Sequence, residues 1–143
     1  MDNLDHKILK ALQENARISF TEISKKVGLS SPSVAERIRK MEDDEIITGY
    51  SVDLSHQKLD KQLHAIIHLR AFTGKLKAFL TRVNKIEEVQ NCYRVTGNEN
   101  IIMEVILRDQ HHLEQLIDTL IEYGETRTHI VLSQLVKNNL SLN

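Results

Sequence analysis

The chain reads as an α+β protein: an N-terminal three-helix helix-turn-helix domain, then a ferredoxin-like βαββαβ domain built on an antiparallel sheet. Three observations predict this. The first 42 residues carry apolar positions at helical spacing. A glycine and a proline punctuate them between Thr21 and Met41. From Leu63 onward the period changes, and strand, helix, strand, strand, helix, strand follow in order. The expected boundaries are 1–50 for the head, 51–61 for a connecting strand and hinge, and 62–143 for the sheet domain.

The head is read element by element. Leu4 to Leu12 is a helix with Ile8, Leu9 and Leu12 inward and Asp5 in its first turn, where a carboxylate meets the positive end of the helix dipole. Asn15 to Ser19 is a link with Ile18 pointing in. Thr21 is the expected cap of the second helix, whose buried face is Ile23 and Val27. Gly28 ends it, because glycine takes left-handed angles freely. Leu29 fills the turn, Ser31 is the expected N-cap of the third helix, and Pro32 suits its first position. Val34, Ile38 and Met41 then form the buried stripe. That leaves Ser33, Arg37, Arg39 and Lys40 outside, the arrangement by which a second helix enters the DNA major groove. On this reading Ser33 and Arg37 approach base edges. Lys25, Ser31, Arg39 and Lys40 meet phosphates. The plainer alternative is a helical domain with a solvated basic face.

Glu42 to Glu45 is an acidic run at a helix end that prefers positive charge, so it marks either the edge of the DNA-facing surface or a solvated corner. Ile46 and Ile47 return to the core. Thr48 to Leu54 alternates like a strand leaving the head, and Ser55 to Lys61 is the hinge. The second half gives strands at Leu63–Ala71, Val89–Thr96, Ile101–Leu107 and Thr126–Val136. Helices fall at Leu76–Val83 and Leu113–Ile121, the latter with Leu113, Leu116, Ile117, Leu120 and Ile121 inward. The strands are near-continuous apolar runs, so a sheet covered by helices on one side keeps a second apolar face, which a second copy of the chain would cover.

Composition narrows the function classes. The formal net charge is −1, so DNA binding must come from a patch, and each head holds DNA weakly unless several act together. There is no run long and apolar enough for a membrane helix, and the first residues lack a signal-peptide core, so the cytoplasm is the expected location. Cys92 is the single cysteine, read as a reduced thiol in a strand. The histidines show no paired metal-ligand spacing, and no phosphate-cradling glycine loop or placed acid, base and nucleophile is present. Neither a cofactor, a metal nor catalysis is therefore expected.

Several stretches, in the right order over nearly the whole chain, make it similar to the Lrp/AsnC family of transcriptional regulators. They are LDHKILKALQENARISFTEISKKVGLS, VAERIRKMEDDEIITGYSVDL, YRVTGNEN with IIMEV, and THIVLSQLVK. The resemblance implies a homodimer through the sheet domain, assembly of dimers into octamers or related rings that wrap double-stranded DNA, and a small amino-acid effector held between dimers. It would place that effector at Thr96, Gly97, Asn98, Asn100, Thr126 and Thr128. The chain departs from the family pattern twice. Asn100–Ile101 stands where Asp-Tyr is common, which keeps hydrogen bonding but removes a charge. Glu45 stands where glycine is usual before the two isoleucines. Two other readings compete: an effector-binding or assembly module whose head no longer reads DNA, and an enzyme on the ferredoxin-like domain.

Overall fold

The computed structural model describes residues 1–138. The described chain forms two units, one of Met1–Asp53 with Asn138 and another of Leu54–Lys137. Residues 139–143 of the expected second domain lie outside the described residues.

The first unit holds α1 (Asn3–Glu14), α2 (Phe20–Val27) and α3 (Ser31–Asp43). Ile8, Ala11, Ile23, Val34, Ile38 and Met41 form its core, with Leu9, Leu12, Ile18, Val27, Leu29 and Ile47 packed around them. Two expected caps move. Ser19, not Thr21, caps α2: its hydroxyl accepts from the Glu22 amide while the Glu22 carboxylate accepts from the Ser19 amide. That reciprocal box satisfies two amides the helix start leaves orphaned, which Thr21 inside the helix could not do. Likewise Ser30, not Ser31, caps α3, and Pro32 follows within the first turn. Gly28 takes φ 74° as the helix end requires. The third helix ends in a Schellman turn: the Glu45 amide donates to the Glu42 carbonyl and the Ile46 amide to the Met41 carbonyl. Glu45 occupies the left-handed position of that turn at φ 54°. Ile47 reaches the core, whereas Ile46 is substantially exposed.

The expected strand over Thr48–Leu54 does not form. A strand is defined by its ladder, and no ladder is formed over these residues. Tyr50, Val52 and Leu54 are exposed along this segment. The hinge contains a short 3₁₀ turn, Gln57–Leu59.

The second unit is a four-stranded antiparallel sheet in the order β2-β3-β1-β4, the ferredoxin-like order. The strands are β1 (Leu63–Ala71), β2 (Val89–Arg94), β3 (Ile101–Leu107) and β4 (Gly124–Ile130), with helices α4 (Leu76–Val83) and α5 (Gln110–Leu120). α5 starts three residues earlier than expected because Asp109 caps it by accepting from the His112 amide. Ile121 lies past its end and is exposed. β4 starts at Gly124 and stops at Ile130, so Leu132, Leu135 and Val136 stand outside the ladder and in solvent.

Strand parity follows from the packing. Ala65, Ile67, Leu69, Ile101, Met103, Val105 and Leu107 are buried against Phe79, Val83, Leu116 and Leu120. The alternate column carries His64, Ile66, His68, Arg70, Ile102 and Glu104, which neither α4 nor α5 covers. That face is mixed, not the second apolar face expected. His64 bonds Glu104 at 2.7 Å and Arg70 pairs with Glu125 at 2.6 Å, while Ile66 and Ile102 lie between the ion pairs.

Candidate nucleic-acid interface and effector cleft

Burial of Val34, Ile38 and Met41 fixes the rotation of α3. Helical geometry then sets Ser33, Arg37 and Lys40, spaced four and three apart, in one column. This column lines a shallow concavity together with Asp2 and Asp5 of the α1 start. Lys40 is exposed and makes no ion pair among the described residues, and the same holds for Lys25 on α2. Ser31 reaches across the turn, donating to the Thr21 hydroxyl at 3.5 Å.

The two arginines are engaged. Nη1 of Arg37 donates to Asp2 Oδ2 at 2.8 Å and to Asp5 Oδ1 at 2.7 Å. These hydrogen bonds, that to Asp5 first, push the Arg37 pKa up. Asp2 Oδ1 meanwhile caps α1 through the Leu4 and Asp5 amides, and Asp5 Oδ2 accepts from the Asp2 amide. The Asp5 amide first, and Arg37 second, bring the Asp2 carboxyl from 3.8 down to about 2. Asp5 is lowered by the Asp2 amide and then by Arg37. Arg39 lies farther round the outer face, bonded to Glu36 at 2.7 Å and to Asp43 at 3.4 Å. Those i,i+3 and i,i+4 partners were readable from spacing. Asp2 and Asp5 were not, because they lie more than thirty residues away in the chain.

The acidic run after α3 is partly absorbed. Tyr50 donates to Glu42 at 2.7 Å, and partial desolvation of its phenol, followed by that bond, raises the phenol to about 12.

In the second unit the β2–β3 hairpin turns through Gly97 at φ 105° and closes with the Val95 amide on the Asn100 carbonyl. The Asn100 side chain accepts from the Ala71 amide at 3.2 Å and so ties the hairpin to the end of β1. A cavity beside it is lined by His68, Arg70, Asn98, Glu99, Glu125, Thr126 and Arg127. Of the six residues expected at an effector, Asn98 and Thr126 line this cavity. Thr96, Gly97, Asn100 and Thr128 do not; Thr128 stands opposite Ile67 in the register. The charged residues that line this cavity were not among those expected. Glu99 accepts from Arg127 at 2.6 Å and contacts His68 Nδ1 at 3.0 Å. Alternation along RTHI and HLRA carried the signal, since every second position there is charged or imidazole. Among the described residues no cluster of His, Cys, Asp or Glu could hold a metal, and no helix is long and apolar enough to cross a membrane. Cys92 is half-buried on β2, and burial pushes its thiol pKa up.

Comparison with known proteins agrees with both halves. Residues 1–42 match the model of the AsnC-type helix-turn-helix domain, and residues 64–140 match the Lrp/AsnC ligand binding domain. YezC, an uncharacterised HTH-type transcriptional regulator of Bacillus subtilis, is 41% identical over 134 residues, covering 93% of this chain and 94% of that one. The leucine-responsive regulatory protein of Escherichia coli is 32% identical over 97% of this chain and 89% of its own. A transcriptional regulator of Neisseria meningitidis, solved as a complex with L-methionine, superposes with a TM-score of 0.94 at 29% identity, covering 100% of this chain and 97% of that one. With a helix-turn-helix in the first unit, a ferredoxin-like sheet in the second and a family match to each, the chain belongs to the Lrp/AsnC family and is a transcriptional regulator rather than an enzyme.

Proposed function

We propose that this regulator binds double-stranded DNA in the cytoplasm as a homodimer that assembles further, to an octamer, and that a small amino acid tunes the assembly. The observation that carries the DNA half is the column Ser33, Arg37 and Lys40 along one flank of α3. Ser33 and Arg37 face base edges, while Lys40, Lys25, Ser31 and Arg39 meet phosphates. Arg37 uses the Nε and Nη2 donors that its acidic partners leave unspent. Arg39 is shared with Glu36 and Asp43 and contributes less.

The effector half is supported by the cavity beside the hairpin and by the methionine complex of the Neisseria meningitidis relative. Two positive and two negative side chains line one small space. An amino acid's carboxylate would take Arg70 or Arg127, and its ammonium Glu99 or Glu125, exchanging internal pairs for ligand pairs. Such a ligand acts only by favouring one assembly over another, with reciprocal linkage to DNA.

The test is selection of sites from a randomised duplex pool by the full chain, with sedimentation and calorimetry against the twenty amino acids. We expect degenerate AT-rich inverted repeats, cooperative binding to repeated sites, and one or more amino acids that shift both oligomer distribution and DNA affinity. Assembly without any salt-dependent DNA binding would replace this reading with that of a module whose head no longer reads DNA. Heat from an amino acid that survives Arg127→Ala and Gly97→Val would place the ligand elsewhere.

A further inference from the structure

The pair of carboxylates at the start of α1 has a use beyond capping. Both bind the same nitrogen of Arg37, at 2.8 and 2.7 Å, and each is itself fixed by backbone amides of its own helix turn. A long side chain at a DNA surface ordinarily loses much rotamer freedom on binding. Here that freedom is already spent. The guanidinium is held by Nη1, and its Nε–Nη2 edge, which makes no hydrogen bond among the described residues, remains available. The carboxylates also decide what that edge can meet. Two negative charges beside Arg37 repel a phosphate, so a DNA partner for it must be a neutral acceptor pair such as N7 and O6 of guanine.

We propose that Asp2 and Asp5 are specificity-determining positioning residues, a buttress that holds Arg37 for a base edge and turns it away from the backbone. The inference rests on the reading of Arg37 as a base contact. It requires an unusual combination of effects from neutralising the acids. Discrimination should fall, because Arg37 is no longer held. Affinity for random DNA should rise or stay level, because two charges that repel phosphates are gone. Damage to the head would lower both.

The experiment uses the full chain in four forms: wild type, Arg37→Ala, Asp2→Asn with Asp5→Asn, and Asp5→Glu. Each is put through selection from a randomised duplex pool, then competition between the selected site and random DNA at several salt concentrations. We expect Arg37→Ala to reduce preference at one guanine by roughly 5- to 150-fold. The double Asn variant should lose a comparable part of that preference with equal or tighter random binding, and Asp5→Glu should retain most of it. If Arg37→Ala flattens the preference and the double Asn variant keeps it, the buttress is wrong and the base contact stands. If Arg37→Ala leaves the preference intact, the base contact itself is wrong and the buttress falls with it. If the double Asn variant loses selected and random binding together, with a lowered melting temperature, the pair is a structural strut only.

Discussion

Two side chains carry consequences that reach past their own positions. Asp2 has its folded pKa near 2, below the ordinary 3.8, because the Asp5 amide and then Arg37 favour the carboxylate. A depressed acid stabilises the fold above its unfolded pKa and loses that contribution as pH falls through the folded value. The head should therefore lose this support between about pH 4 and pH 2. A carboxyl-carbon NMR titration should place the Asp2 midpoint near 2 in the wild type. In Arg37→Ala it should rise yet stay below 3.8, since the leading cause is the backbone amide. A midpoint at 3.8 in the wild type would show that the α1 capping network does not hold in solution. Glu45 is the second case. It takes φ 54° in the Schellman turn, where a side chain costs about 1 kcal/mol relative to glycine. Glu45→Gly should raise the stability of the head by about that amount, read as a higher midpoint in thermal or urea unfolding. An unchanged or lower midpoint would mean that the flexibility glycine adds to the unfolded chain cancels the relief. Glycine's absence at 45 was visible in the sequence as a departure from the family pattern. The backbone angle that gives it meaning was not.

At the scale of elements, Gly124 shows a constraint of space. It opens β4 opposite Ala71, is buried, and has no positive φ, yet a Cβ there would run into the Arg70 carbonyl. Backbone, unlike a flexible side chain, cannot move aside cheaply. Gly124→Ala should cost about 1–3 kcal/mol, as overpacking does, and fray the β1–β4 ladder first. Hydrogen exchange of the Phe72 amide, which donates to the Tyr123 carbonyl at this end, should accelerate. Exchange as slow as in the wild type would show that the strands part without loss. How much of this was legible differs by element. The spans of β1, β3 and α4 were readable to the residue, because long apolar runs and a 3.6 period leave few alternatives. The caps of α2 and α3 were each misplaced, because SFT and SSPS offer several hydroxyls and only the backbone angles choose among them. Thr48–Leu54 alternates as a strand should, but alternation specifies a face and not a partner. In the cavity by the hairpin, two of six expected residues are present. The charged remainder comes from β1, β4 and the hairpin, and their meeting depends on sheet order, which no local pattern encodes.

For the whole molecule the open question was which strand column could meet another copy, and the packing decides which column the helices already cover. Ile67 and Val105 are fully buried beneath α4 and α5, so a charge at either should unfold the sheet domain. The opposite column is half apolar. Ile66 and Ile102 lie among His64–Glu104, His68–Glu99 and Arg70–Glu125 pairs, with Tyr93 exposed beside Ile102 in the register. A surface of this mixture offers both apolar area and oriented charges to a two-fold partner. Val52, Leu132, Leu135 and Val136 add exposed apolar side chains outside the ladder. We predict that Ile102→Asp lowers the mass seen in sedimentation while the sheet domain keeps its far-UV circular dichroism, whereas Ile67→Asp abolishes the fold. On the proposed function, assembly also sets DNA affinity. With a net charge of −1, a single head has little nonspecific attraction to draw on, so tight binding depends on linked heads acting through effective concentration. Ile102→Asp should therefore weaken binding to a repeated site far more than binding to one half-site, although it lies in the sheet domain and outside the reader helix. Equal weakening at both would mean that the heads bind independently. An Ile102→Asp chain that stays fully assembled would move the protomer contact off the open face of the sheet, leaving the exposed apolar side chains Val52 and Leu132 as the next to test.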